Sequence, residues 1–273
     1  MTLANTQDRR VRDVWRQLDR VTDPELDEPI TEMGFVERVT LVEANRVEVA
    51  FRLPTYWCSP NFAFLMADGI RREVEDLPWV SRVTVRLEDH LCAEELNDGV
   101  NAGRGFSEVF SEISDGDDLE EIRLKFLEKA FQRRQEAVLL ALCARGLGHG
   151  EIAAMPLGVF DGIAFEHGDA AGEAENEAAK QKPRYRALLI ERNLARDPHD
   201  PAFRTFAGQT LQGRDLAAYL AELRGVRINM EFNGALCRGL GKARYRQADL
   251  SKDEPTLIDF ILDRVPAADM QKT

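Results

Sequence analysis

Long apolar runs are missing from this 273-residue chain. None approaches the roughly 18 residues that would signal a membrane-crossing helix, so no span is expected. The first ten residues, Met1 to Arg10, carry no apolar stretch of the kind found in a secretory leader, which points to a cytoplasmic protein. Cysteine is scarce, at four residues. In a reducing compartment those four are expected to be free thiols open to metal. A basic excess is also absent: 36 Lys and Arg against 48 Asp and Glu leave a net charge of −12. That argues against nucleic acid as a main partner, because phosphate binding needs a basic surface. Lysine itself is rare, at seven residues with none before Lys125, a bias that fits a GC-rich coding genome and a bacterial source.

What is present suffices for two domains. Hydrophobic residues make up 44% of the chain, enough for a sizeable core, and the length exceeds one typical domain. Residues 111–118 are polar, contain Asp115-Gly116-Asp117-Asp118 and interrupt every apolar period. They read as a linker between a domain over 1–110 and a second over 119–273. A calcium loop is disfavoured there, because the twelve-residue spacing ending in Glu is missing.

Helical spacing of Val11, Val14, Trp15 and Leu18 predicts a first helix, and Pro24 enforces a turn after it. Strands are expected over about 35–42 and 47–53, joined by a short connection at Glu43-Ala44-Asn45. A helix follows with Phe62, Leu65, Met66, Ile70 and Val74 on one face, then a strand over 80–87 and a short helix over 93–102. The fold class is therefore an α/β (α+β) first domain, helix-strand-strand-helix-strand-helix with a small three-stranded mixed sheet. The second domain reads as mainly helical.

Cys58 sits where the second strand stops and the next helix starts. A thiol at a helix N-terminus faces free N–H groups and the positive end of the dipole, which favours the metal-binding, nucleophilic thiolate. A small buried apolar cysteine is the alternative. The strand-helix-strand unit should be a right-handed crossover with parallel strands. Cys58 and the run Asp89-His90-Leu91-Cys92 then share the carboxyl edge of the sheet, and Asp23-Pro24-Glu25 leads into the same edge. Ligands of open α/β sheets usually lie there. Cys58, Cys92 and His90, with Asp89, Asp23 and Glu25 nearby, are candidate ligands for iron, an iron–sulfur cluster or zinc. So few thiolates suit a labile or shared metal better than a closed structural one. A thiol enzyme with Cys58 as nucleophile and His90 as base is the competing chemistry.

Asp23-Pro24-Glu25-Leu26, Met33-Gly34-Phe35-Val36 and Thr55 three residues before Cys58 stand in the order that resembles the PaaD-like and SufT-like iron–sulfur assembly domain, over about residues 9–100. The resemblance implies a small α/β fold that matures iron–sulfur or iron-dependent proteins through contacts with the client. It assigns the key cysteine to Cys58 and places Thr55, Asp23 and Glu25 at the cofactor-binding positions. The family commonly has Gly before the cysteine and Pro directly after it; here Trp57 and Ser59 stand there, with Pro60 one later. Its Pro/Trp-rich segment after the last strand is replaced by His90-Leu91-Cys92. Relatives of this type occur beside bacterial oxygenase genes, which implies a di-iron oxygenase as a candidate client.

The second half is less informative. One long amphipathic helix is expected over 119–145, a polar excursion over 166–182, and helices over 184–194, 211–223 and 255–265. Gly146-Leu147-Gly148-His149-Gly150 lacks the preceding strand of a dinucleotide loop. Gly239-Leu240-Gly241-Lys242 lacks the Ser or Thr of a phosphate loop. The sequence thus points to an assembly or maturation factor rather than an enzyme, with a client metalloenzyme or other assembly proteins as partners. The helical half would supply recognition or homo-oligomer contacts, and a non-metal chaperone or adaptor on the same scaffold is the alternative.

Overall fold

The computed structural model describes residues 3–43, 45–111 and 118–245. Ala44, most of the linker at 111–118 and the helix expected over Pro255–Val265 lie outside the described residues. In chain order the elements are α1 (Leu3–Leu18), β1 (Val36–Glu43), β2 (Arg46–Arg52), α2 (Pro60–Glu75), β3 (Arg82–Glu88), α3 (Ala93–Asn101) and α4 (Phe106–Val109). Then come α5 (Asp118–Ala144), α6 (His149–Ala153), α7 (Leu157–Gly162), α8 (Glu173–Glu191) and α9 (Leu216–Tyr245). No helix among the described residues is long and apolar enough to cross a membrane. Two compact units divide the chain: Met1–Asp23, Glu28–Asp115 and Asn233–Thr273 form one, Pro24–Asp27 and Gly116–Phe232 the other.

The first unit is built on a three-stranded mixed sheet in the order β1-β2-β3, antiparallel and then parallel. Alternation decides which face is buried. Val47, Val49 and Phe51 of β2 and Val83, Val85 and Leu87 of β3 are all buried on the side that α1, α2 and α3 cover. Of the intervening residues Ala50 is buried as well, while the charged ones form a ladder of opposite charges, with Arg38 reaching Glu48 and Glu88, Arg52 reaching Glu37 and Glu88, and Arg86 reaching Glu48. Exposed pairs of this kind contribute little stability each, but they keep the open face wet. In the register Arg52 lies opposite Glu88, so the chain leaves β2 and β3 side by side.

The free edge of β3 is closed by side chains rather than by a fourth strand. Asn97 accepts from Leu87 N–H at 2.7 Å and donates back to its carbonyl at 3.0 Å. Asn101 does the same with Val85, at 2.8 Å in each direction. Four residues of helix rise about 6 Å and two residues of strand about 6.6 Å, so two asparagines one turn apart match alternate strand residues. This fixes α3 against the sheet, and with it the loop between β3 and α3.

The second unit packs α5 against α8 around Phe131, Leu142, Phe160, Tyr185, Phe203 and Leu223. Among its buried polar residues Gln135 is fully satisfied: its amide donates to the Tyr185 hydroxyl and the Arg204 carbonyl and accepts from the Tyr219 hydroxyl. Burial pushes the Tyr185 hydroxyl well above its ordinary pKa, so it stays a donor, to the Ala202 carbonyl at 2.8 Å.

Two expectations for this half need correction. Most of the polar excursion at 166–182 is helical, since α8 starts at Glu173 and runs through Pro183. Acidic residues in its first turn and buried Ala178 and Gln181 support it, and packing on α5 outweighs the lost hydrogen bond at the proline. The helix expected over 211–223 instead starts at Leu216 and continues to Tyr245 through four glycines. One of these, Gly234, is closely approached: a Cβ there would come 3.4 Å from the Glu28 carboxylate and 3.3 Å from the Arg238 guanidinium, so a larger residue would need those side-chain ends to shift slightly.

Candidate functional site

Two loops at the carboxyl ends of the parallel strands make the site. The first, residues 53–59, leaves β2 through buried Leu53 and Pro54 and enters α2 at Pro60, the first helical position, where a missing N–H costs nothing. Within it Thr55 Oγ1 lies 3.1 Å from Cys58 Sγ, and Cys58 is partly exposed. The second loop, residues 89–92, connects β3 to α3. The Leu91 N–H donates to the Tyr56 carbonyl at 2.9 Å, which ties the loops to each other.

His90 completes the tie. It is 5% exposed, and its Nε2 lies 2.9 Å from the Cys58 carbonyl oxygen. Its Nδ1 faces the Cys92 backbone N–H at 3.3 Å and the Cys92 thiol at 3.2 Å. A carbonyl on one side and two donors on the other select the neutral ring with the proton on Nε2. Burial lowers the His90 pKa further, with Arg244 adding to the effect and the Cys58 carbonyl and Asp89 opposing it. The Cys92 thiol is pushed up to about 11, first by burial and then by the nearby Glu95 charge. It is therefore a protonated thiol at neutral pH.

The structure thus brings Thr55, Cys58, His90 and Cys92 into one hydrogen-bonded chain. Asp23 and Glu25 are placed differently. Asp23 is buried in the turn closed by the Thr22–Pro29 bridge, where its N–H donates to the Glu28 carbonyl. Glu25 belongs to the second unit and lies 3.9 Å from Lys129. Met33-Gly34-Phe35 forms the turn before β1, and Gly34 has φ +72°, a conformation that other residues adopt only under strain. Among the described residues no three His, Cys, Asp or Glu side chains group closely enough to hold a metal ion.

Several residues at these loops escape a reading of the sequence. Arg244, at the end of α9, pairs with the Asp89 carboxylate at 2.8 Å and donates to its carbonyl. Its guanidinium also lies 5.9 Å from the Tyr56 ring. The Tyr245 hydroxyl donates to the Leu53 carbonyl at 3.1 Å, and burial pushes its pKa up to about 12. Arg238 pairs with Glu28, and with Met33, Phe35, Arg52, Leu53 and Tyr245 it lines a cleft of roughly 440 Å³. The only available signal was the basic last turn of a helix, Lys242 and Arg244, which carries no address.

The second unit holds a comparable surprise. The Asp27 carboxylate, 2% exposed, is gripped by Arg134 at 2.6 and 2.8 Å and by Arg184 at 2.7 Å. Arg133 donates to the Leu26 carbonyl and Arg184 to that of Asp27. The segment Pro24–Asp27, which follows directly on Asp23, is thereby part of the helical unit's hydrogen bonding.

No curated protein matches the chain. Residues 12–86, just over a quarter of its length, match the family model described as iron-sulfur cluster assembly protein. Asp23, Glu25, Thr55 and Cys58 fall inside that stretch and His90 and Cys92 beyond its end, so it is the N-terminal part of this chain, with the Cys58 loop in it, that is similar to iron–sulfur cluster assembly proteins.

Proposed function

We propose that the chain is an assembly factor that takes up an iron centre or iron–sulfur cluster and passes it to a client metalloenzyme. Cys58 is the thiol that contacts the cargo. The carrying observation is the Thr55–Cys58 pair, a hydroxyl 3.1 Å from a partly exposed sulfur, at a strand-to-helix turn inside the matched stretch. A hydroxyl can donate to a thiolate, which supports the metal-binding form.

The donor set bears on how the cargo is held. Cys92 is a buried thiol, and both ring nitrogens of His90 have partners within the protein. Both serve the loop's shape in this reading, although the sequence also offers them as ligands beside Cys58. Cys58 alone cannot complete an iron site, so the remaining ligands come from outside and the complex is labile. Hand-over is ligand exchange: a client cysteinate replaces Cys58 on iron, Cys58 leaves as thiolate, and no electron is transferred. Thr55, Asp23 and Glu25 remain the cofactor-side residues by resemblance, a bacterial di-iron oxygenase is the candidate client, and the cytoplasm is the setting.

The same geometry disfavours the thiol enzyme. His90 Nε2 bonds the Cys58 carbonyl rather than the sulfur, so the ring is not placed as a base for the thiol. The absence of a grouped donor set among the described residues favours a second reading, a non-metal adaptor on the same scaffold. Anaerobic reconstitution with ferrous iron and sulfide separates the two. The expected result is a thiolate-to-iron absorption band in the wild-type protein that Cys58→Ser abolishes while its melting temperature stays unchanged. A wild-type protein that never binds iron, or a Cys58→Ser variant that loads normally, would put the adaptor in its place.

A further inference from the structure

We propose that the rim of the Cys58 loop docks a client protein whose own surface pairs an apolar hollow with basic side chains, an inference that rests on Cys58 being the cargo contact. Three large apolar residues stand exposed here. Trp57 is 73% exposed, Leu91 50% and Tyr56 47%. They come from the two loops that the Leu91–Tyr56 backbone bond holds together, so they belong to one place on the surface. Trp57 adjoins Cys58 directly. An indole and a phenol are the side chains that most often dominate protein interfaces, because each brings much apolar area for few rotatable bonds.

The loop is also preordered. Thr55 contacts Cys58, His90 ties the Cys58 carbonyl, and the Arg244 guanidinium backs the Tyr56 ring. A surface fixed before encounter loses less conformational entropy when it binds.

Charge identifies the kind of partner. Glu94 and Glu95, in the first turn of α3 directly after Leu91-Cys92, are exposed, and Asp98 is exposed one turn further on. Arg244, a cation beside these loops among the described residues, is paired with Asp89. The rim is therefore apolar beside a net negative edge, on a chain of net charge −12. It would repel phosphate backbones and anionic lipid headgroups and attract a protein surface with Lys or Arg around an apolar hollow. Such a surface brings its own cysteine to the metal while the indole covers the exchange from water.

The test uses the full chain and two short fluorescein-labelled peptides. Each has a Leu-Val-Cys-Leu centre, flanked in one by arginines and in the other by glutamates, and binding is read by anisotropy at low and moderate salt. The arginine peptide is expected to bind, more weakly as salt rises, and the glutamate peptide not to bind. Trp57→Ala should weaken binding by roughly tenfold or more, with Trp57→Phe in between. Reversing Glu94 and Glu95 together to Arg should switch the preference to the glutamate peptide. Equal binding of both peptides, or indifference to the Trp57 and Glu94/Glu95 changes, overturns the proposal. Cys58→Ser should bind the arginine peptide as the wild type does while failing to load iron. Lost docking with normal iron loading sinks the docking surface alone, and intact docking with Cys58-independent loading sinks the cargo role alone.

Discussion

Arg244 holds Asp89 twice, through the carboxylate at 2.8 Å and the backbone carbonyl at 3.0 Å, and Asp89 is a non-glycine residue at φ +55°. Left-handed backbone is unfavourable for any L-residue, though Asp tolerates it better than most. The contact therefore stabilises a strained residue from which His90, Leu91 and Cys92 follow.

Replacing Arg244 with Gln keeps a donor but removes the charge and the stacking on Tyr56 and Tyr245. The expected loss is about 1 kcal/mol, because Asp89 is half exposed and the pair is screened. The local signature matters more. Amide hydrogen exchange at Leu91 and Cys92 should quicken well beyond the global change. Unchanged exchange there would mean that Arg244 is an ordinary surface pair.

His90 makes stability depend on pH in a defined window. Its folded pKa lies below the ordinary 6.5, so the unfolded chain binds more protons between the two values. The contribution is complete above about pH 6.5 and is lost as pH falls through the folded value. Protonation would place an N–H on Nδ1, facing the Cys92 donors. Urea midpoints between pH 5 and 7.5 should fall with acid more steeply in the wild type than in His90→Gln. Parallel curves would show that the ring takes no part.

Much of the first unit was legible because its periods are clean. Val47, Val49 and Phe51 alternate, Val11, Val14 and Leu18 recur at helical spacing, and the right-handed crossover rule then sets β2 parallel to β3. The position of Cys58 followed from those elements. The contributions of Arg244, Tyr245 and Arg238 did not, because an arginine late in a helix has many equally good partners and sequence spacing cannot choose among them. Asp27 was invisible for the same reason, its partners being 107 and 157 residues away. The start of α8 was misplaced because Pro183 reads as a boundary, whereas tertiary packing carries the helix through it.

Asn97 and Asn101 offer a direct test of how the second loop is positioned. Each serves one donor and one acceptor on the edge of β3. Alanine at either position leaves both backbone groups without their partner, at a cost of about 1–3 kcal/mol. Because α3 then loses its register on the sheet, the Cys92 thiol should become reactive to iodoacetamide at neutral pH in Asn97→Ala. A stable variant with Cys92 still protected would show that apolar packing alone places α3.

The Asp27 clamp carries the most stringent prediction. One nearly buried carboxylate faces two guanidiniums, and burial lowers the Arg184 pKa against the opposing pull of Asp27. Removing the carboxylate leaves two cations crowded in a poorly hydrated place, so Asp27→Asn should lose about 3 kcal/mol or more. Replacing Arg184 with Leu in that background should recover part of the loss by removing one of the stranded charges, a non-additive result for residues in direct contact. Chemical denaturation of the single and double variants checks both outcomes, and an Asp27→Asn protein as stable as the wild type would show that the two guanidiniums do not depend on this carboxylate.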